Sequence, residues 1–232
     1  MKDKVIGILG GMGPEATVDL FHKIILHTPA ATDQDHLRII VDNNPRIPDR
    51  TAAVLRGGQD PTPEMCATAR NLERAGAELI VMPCNSAHIF LDAVRKCVDV
   101  PFLSIVDETV SAVKRHTPPI ARVGLMASSG IVETRLYARA FEAQGIETLV
   151  PDADGQKLVM ETIYGVKAGR NKTEMAALAK RAALDLIARG AEAVILGCTE
   201  LPLVLHEGDV PAVVIDATDI LAQAAVRAAR ST

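Results

Sequence analysis

One pattern is written twice in this chain. "AGAELIVMPCN" at 75–85 and "ARGAEAVILGCT" at 188–199 each carry a glycine turn, an apolar run, then a cysteine followed by a small polar residue. Aligned on the cysteines, Gly76, Ala77 and Glu78 match Gly190, Ala191 and Glu192, 114 residues on. Two further matches keep the same order. "VIGILGG" from 5 pairs with "RVGLMASS" from 122, bringing Gly7 onto Gly124, and "VPFLSIVDET" from 100 pairs with "VPAVVIDAT" from 210. Ordered matches at similar displacements are the mark of a duplicated unit, and each copy must satisfy the same backbone constraints.

Between these landmarks, short β-rich runs alternate with longer helical patterns. Strands are expected at 4–9, 37–43, 78–82 and 101–106, with helices at 14–28, 62–76, 86–96 and 107–115. The alternation restarts with strands at 122–128, 146–150 and 193–196 and helices at 130–144, 155–167 and 172–189. Such alternation predicts an α/β protein with mostly parallel sheets. The repeat divides it into two similar lobes related by a pseudo-two-fold axis, residues 1–104 plus 214–232 carrying Cys84 and residues 105–213 carrying Cys198. Ligands of parallel sheets bind beyond the carboxyl ends of the strands. The expected active site is therefore a cleft between the lobes.

Composition narrows the partners. The formal charge is −4, from 25 basic and 29 acidic residues, and no basic tract stands out. That argues against nucleic acid or an anionic membrane surface. No run approaches the roughly 20 apolar residues of a spanning helix. The glycine-broken opening "MKDKVIGILGGMG" is unlike a signal peptide. A cytoplasmic protein handling a small molecule is the expectation.

Of the four cysteines, Cys66 and Cys97 lie in helix-like segments and read as small buried hydrophobes. No C-x-x-C pair or zinc-like His spacing occurs, and a reducing cytoplasm makes a disulfide framework unexpected. Cys84 and Cys198 differ. Each ends a strand just before a helix start, where the helix dipole favours thiolate. Two opposed, activated thiols suit removal of a proton from one face of a carbon and return of one to the other.

"GMGPEA" at 11–16 also fits the loose dinucleotide fingerprint G-x-G-x-x-A, with Asp42 ending the next strand. That reading leaves both cysteines unexplained. The loop, with Gly11 and Met12, instead suits close approach to a small substrate.

The segments "GILGGMGPEAT" (7–17), "NNPRIPDRT" (43–51), "MPCNSAH" (82–88), "IYGVKAG" (163–169) and "GCTEL" (197–201) resemble those of the cofactor-independent aspartate/glutamate racemase superfamily, most of all its aspartate branch. The resemblance covers nearly the whole chain. It implies that Cys84 and Cys198 are the acid–base pair and that Arg50 and Lys167 hold substrate carboxylates. It further implies that Asn85, Ser86 and Thr199 orient the α-amino and α-carboxylate groups, with neither pyridoxal phosphate nor metal, in a homodimer. Glutamate racemases usually carry Asp-Ser after the first strand and Cys-Thr-His at the second cysteine. Here Gly10-Gly11-Met12 and Cys198-Thr199-Glu200 stand instead, which favours aspartate.

Several residues keep a second reading. Lys167, at a helix end, suits the last carbonyls as well as a ligand. Asn85 and Ser86 suit helix capping. Glu200 either begins a helix or tunes Cys198, and His88 and Asp107 suit helix-start or packing contacts. The alternatives to an aspartate racemase are a broad-specificity or glutamate racemase, a maleate-isomerase-like relative, or a two-lobed small-ligand-binding protein without catalysis.

Overall fold

A computed structural model describes residues 3–230. Contacts within it divide the chain into two compact units: the described residues up to Glu108 with those from Thr218 onward, and Thr109–Ala217. Residues 105–108 thus group with the first unit and 214–217 with the second.

In the first unit the chain runs β1 (Ile6–Gly10), α1 (Pro14–His27), β2 (Ile39–Asn43), α2 (Arg50–Leu55), α3 (Thr62–Arg74), β3 (Leu79–Val81), α4 (Leu91–Arg95) and the start of α5 (Ile105–Lys114). The strands form a parallel sheet in the order β2-β1-β3, with Ile6 level with Ile39 on one side and Leu79 on the other. β1 is buried along its whole length, as a central parallel strand must be. Met65, Ala69 and Leu72 of α3 pack with Leu9, Ile80 and Met82 in one apolar cluster. Each large side chain buried there contributes about 1.5–3 kcal/mol.

The strand expected at 101–106 shrinks to a single bridge between Phe102 and Ile80. Ile80 N–H donates to Pro101 O and Leu103 N–H to Ile80 O, at 2.8 and 3.0 Å. The pairing then stops because α5 begins at Ile105, where Asp107 N–H finds the Ser104 hydroxyl. α2 departs from expectation in the opposite sense. It starts at Arg50, between the strand expected at 37–43 and the helix expected at 62–76, because the Asp49 carboxylate caps it by accepting from Ala52 N–H at 2.7 Å.

The second unit continues with β4 (Arg122–Ala127), α6 (Ser129–Thr134), α7 (Leu136–Glu142), β5 (Glu147–Leu149), α8 (Ala153–Lys167), α9 (Lys172–Ala188), β6 (Ala193–Gly197) and β7 (Val213–Asp216). Its sheet is parallel, in the order β5-β4-β6-β7. The helix expected over 130–144 is broken in two at Arg135, which takes φ +54°. β7 is the full strand that the 101–106 segment fails to become. α10 (Ala217–Arg230) follows, and its residues from Thr218 belong to the first unit. There Ala229 O accepts from Lys4 N–H at 3.0 Å, and Asp219 meets His27 at 2.6 Å.

The repeat holds to individual atoms. Gly76 and Gly190 take φ +94° and +96°, a conformation suited to glycine, as each helix gives way to its strand. Glu78 accepts from Val5 N–H at 2.9 Å, and Glu192 accepts from Ala121 and Arg122 N–H at 2.6 and 3.2 Å. Gly7 in β1 faces Leu72 and Ala77, while Gly124 in β4 faces Leu186 and Ala191. Two α/β units with parallel sheets are the fold that the alternation predicts.

The cysteines correct the sequence reading at one point. Cys66 and Cys97, expected as separate buried thiols, are joined in a disulfide, with Cα atoms 5.6 Å apart. α3 and the end of α4 bring them together across 31 residues of sequence. Cys84 and Cys198 are free and buried. No helix among the described residues is long and apolar enough to cross a membrane.

Candidate active site

The two thiols outside the disulfide lie just past the carboxyl end of a parallel strand, Cys84 after β3 and Cys198 after β6. They are 5 % and 8 % exposed. The helix expected over 86–96 is present in two joined pieces, a 3-10 helix over Ser86–Phe90 that runs directly into α4. Cys198 is followed only by a three-residue 3-10 helix, Leu201–Leu203, whose few aligned peptides supply little dipole. At Cys198, thiol chemistry must come from side chains and individual amides.

Around Cys84 the support is to the main chain. Cys84 N–H turns back to Met82 O at 2.8 Å. Its own carbonyl meets His88 Nδ1 at 2.8 Å, while His88 Nε2 takes the Ile105 N–H at 3.1 Å. Since an N–H donates to Nε2, the proton sits on Nδ1, and the neutral ring donates to Cys84. Burial pushes the His88 pKa down to about 4, against the opposing pull of that carbonyl. The helix-start contact expected of His88 is therefore present, at the first residue of α5. Asn85 and Ser86 are both buried. Asn85 sits at the capping position of the 3-10 helix, but its side chain makes no capping hydrogen bond.

The loop between β1 and α1 and the start of α2 form the rest of this unit's candidate site. Gly11 takes φ +93°, and a Cβ there would lie 2.3 Å from the Asn44 carbonyl carbon. Its N–H donates to Thr17 Oγ1 at 2.9 Å, and that hydroxyl donates to Gly13 O. Met12 is buried and its carbonyl accepts from Arg50 Nη2 at 3.1 Å. Arg50 Nη1 donates to Ile47 O and Pro48 O, at 3.2 and 2.9 Å. The side chain is only 8 % exposed, and its Nε finds no hydrogen-bond partner. Carbonyl dipoles hold the guanidinium in place, yet a buried cation is stabilised far more by an anion. Arg50, Met12 and Gly11 are thus brought together.

Around Cys198 the support is to the sulfur itself. Cys198 Sγ donates to Glu200 Oε2 at 3.0 Å. The other carboxylate oxygen, Oε1, lies 3.6 Å from Lys167 Nζ at the end of α8. Glu200 is 3 % exposed and Thr199 1 %, whereas the Lys167 side chain is 36 % exposed. Of the two readings open for Glu200, the structure favours the contact with the cysteine. Lys167, expected at a substrate carboxylate or at helix carbonyls, stands beside Glu200. The chain Lys167–Glu200–Cys198 spans 33 residues between α8 and the β6 end, and only the Cys198-to-Glu200 spacing was visible in sequence. No group of three or more His, Cys, Asp or Glu is placed to hold a metal ion among the described residues.

Comparison with known proteins places the chain in a family and a fold. The profile of the Asp/Glu/hydantoin racemase family matches residues 9–225. The broad-specificity amino-acid racemase RacX of Bacillus subtilis is 27% identical over 237 residues, covering 96% of each chain. Picrophilus torridus aspartate racemase superposes with a TM-score of 0.86 at 33% identity, over 97% of this chain and 94% of its own. Glutamate racemase of Francisella tularensis, solved with D-glutamate, gives 0.69 at 18% identity over 97% and 80%. That last likeness is one of fold.

Proposed function

Because the chain belongs to the Asp/Glu/hydantoin racemase family, we propose that it interconverts L- and D-aspartate with Cys84 and Cys198 as its acid–base pair. The observation that carries this is the free, buried thiol at the same strand end of both repeated units. In each turnover one sulfur, as thiolate, takes the Cα proton while the other, as thiol, delivers its own to the opposite face. One C–H bond breaks, another forms, and the two sulfurs exchange protonation states. The Cα–H of an amino acid is a very weak acid, so the transition state must be bound more tightly than the substrate.

Arg50 serves as the anchor for a carboxylate, supported by its buried guanidinium with an unsatisfied Nε. Lys167 offers a second cation. Asn85, Ser86 and Thr199, beside the cysteines, orient the remaining polar groups, and the Gly11–Met12 loop admits close approach. As charge develops on the α-carboxylate, positioned donors stabilise it without reorganising. The 33% identity to an aspartate racemase over nearly the full chain supports aspartate as substrate. A broader range of amino acids is the second reading, favoured by the full-length likeness to RacX.

Reduced protein incubated with L-aspartate in D2O, without cofactor, should yield D-aspartate carrying deuterium at Cα. Cys84→Ala and Cys198→Ala should each lower that rate by about 10²–10⁴-fold or more, the usual contribution of a positioned acid or base. Glutamate and alanine in the same assay separate the two readings. No exchange and no D-isomer from aspartate would refute the aspartate proposal, and near-normal turnover in either mutant would refute the two-thiol mechanism.

A further inference from the structure

The two thiols of the proposed reaction are held in unlike surroundings. His88 supports Cys84 through a main-chain carbonyl. The Cys198 sulfur itself faces a carboxylate at 3.0 Å, with an ammonium 3.6 Å from that carboxylate's other oxygen. A thiol held against a carboxylate keeps its proton, because a second anion next to the first is disfavoured.

We infer that Glu200 is a positioning residue acting through Cys198, holding its proton in a shared S–H···O pair whose charge balance is set by Lys167. The inference deepens the two-thiol reading above and rests on it for its catalytic meaning.

At rest the pair carries one proton and one negative charge, the proton on sulfur and the charge on Glu200. Cys198 is then the proton donor, and Cys84 is left to begin as base. For the reverse direction Cys84 takes up a proton from solvent and becomes the donor, while the proton of Cys198 passes from Sγ to Glu200 Oε2. In the pair the S–H bond breaks, an O–H bond forms, and the charge moves to sulfur with no change in the pair's total. Lys167 opposes that transfer while it stands against Oε1. A substrate carboxylate that draws Lys167 toward itself removes the opposition, so ligand docking and thiolate formation are linked, each favouring the other. The geometry suits such an exchange. Glu200 and Cys198 are buried, whereas Lys167 is partly exposed and on the flexible stem typical of lysine. The charged groups seen facing Cys198 are Glu200 from its own segment and Lys167, through Glu200, from α8.

The test reads the thiol rather than turnover. On a Cys84→Ala background, with Cys66 and Cys97 joined, Cys198 is the one thiol left. Its rate of alkylation by iodoacetamide is followed against pH by mass spectrometry. The parent should show a midpoint above the ordinary value of about 8.5. Glu200→Gln should lower it by about one pH unit, and Glu200→Asp should keep it near the parent. Lys167→Met should raise it. In folded protein, a Glu200→Gln midpoint equal to the parent's overturns the inference. Should Glu200→Gln not fold, Lys167→Met decides, since it alters a partly exposed side chain, and an unmoved midpoint there overturns the inference equally. Alkylation can fail to shift in a chain that racemises aspartate, or shift in one that does not, so this test and that of the reaction are separable.

Discussion

His88 donates from Nδ1 to the Cys84 carbonyl at 2.8 Å, so the ring that accepts from the first N–H of α5 also fixes the backbone of the thiol. Only the neutral imidazole does both. With its pKa near 4 in the fold and 6.5 as the ordinary value, the unfolded chain takes up the proton first as pH falls. Stability from this group is complete above pH 6.5 and is lost progressively between 6.5 and about 4. The whole loss is about 3 kcal/mol. Urea unfolding across that window should show the decline, and His88→Gln should flatten it relative to the parent.

Arg50 gives a prediction that separates binding from folding. Arg50→Lys keeps a charge but cannot span Met12, Ile47 and Pro48 carbonyls with one planar fork. KM for aspartate should rise by about tenfold or more, the equivalent of about 1.4 kcal/mol, with a smaller change in kcat. Steady-state kinetics at saturating and limiting substrate would show it. An unchanged KM would remove Arg50 from the binding role.

The paired glycines predict an inequality. A Cβ at Gly7 would lie 2.8 Å from the Ala77 Cβ, which its backbone holds in place. At Gly124 the nearest contacts are 3.0–3.2 Å, to Leu186 and Ala191. Overpacking of a dense core costs about 1–3 kcal/mol. Gly7→Ala should therefore destabilise more than Gly124→Ala, by thermal or chemical unfolding. The reverse order would show that the two copies relax differently from their static contacts.

The Cys66–Cys97 bond closes a loop of 31 residues. Chain-entropy reasoning assigns such a loop about 3–4 kcal/mol of stabilisation. Cys66→Ser, or reduction without denaturant, should lower the unfolding free energy by about 2–4 kcal/mol. Equal stability of the oxidised and reduced proteins would show that the packing of α3 against α4 suffices alone.

The fold was legible wherever local chemistry repeats. Gly76, Ala77 and Glu78 recur because each copy needs a positive-φ turn, a small contact for Gly7 or Gly124, and a carboxylate for the backbone N–H at the start of the neighbouring strand. What stayed hidden depends on partners distant in sequence. The disulfide joins α3 to the turn after α4, 31 residues on, and nothing in "PEMCATAR" or "VRKCVD" announces it. Phe102 keeps one bridge because Ile80 offers only one residue of pairing before α5 starts. At the site, both cysteines and Arg50 stood out in the sequence. The contact of Lys167 with Glu200 did not, since two short loops and a helix packing had to bring it about.

The second unit is one continuous stretch, Thr109–Ala217, whereas the first is completed only by residues from Thr218 onward. Leu221, Ala222, Ala225 and Ala229 of α10 are all buried. A chain cut after residue 217 would therefore keep every element of the second unit but leave the first without α10, exposing the apolar surface which that helix covers.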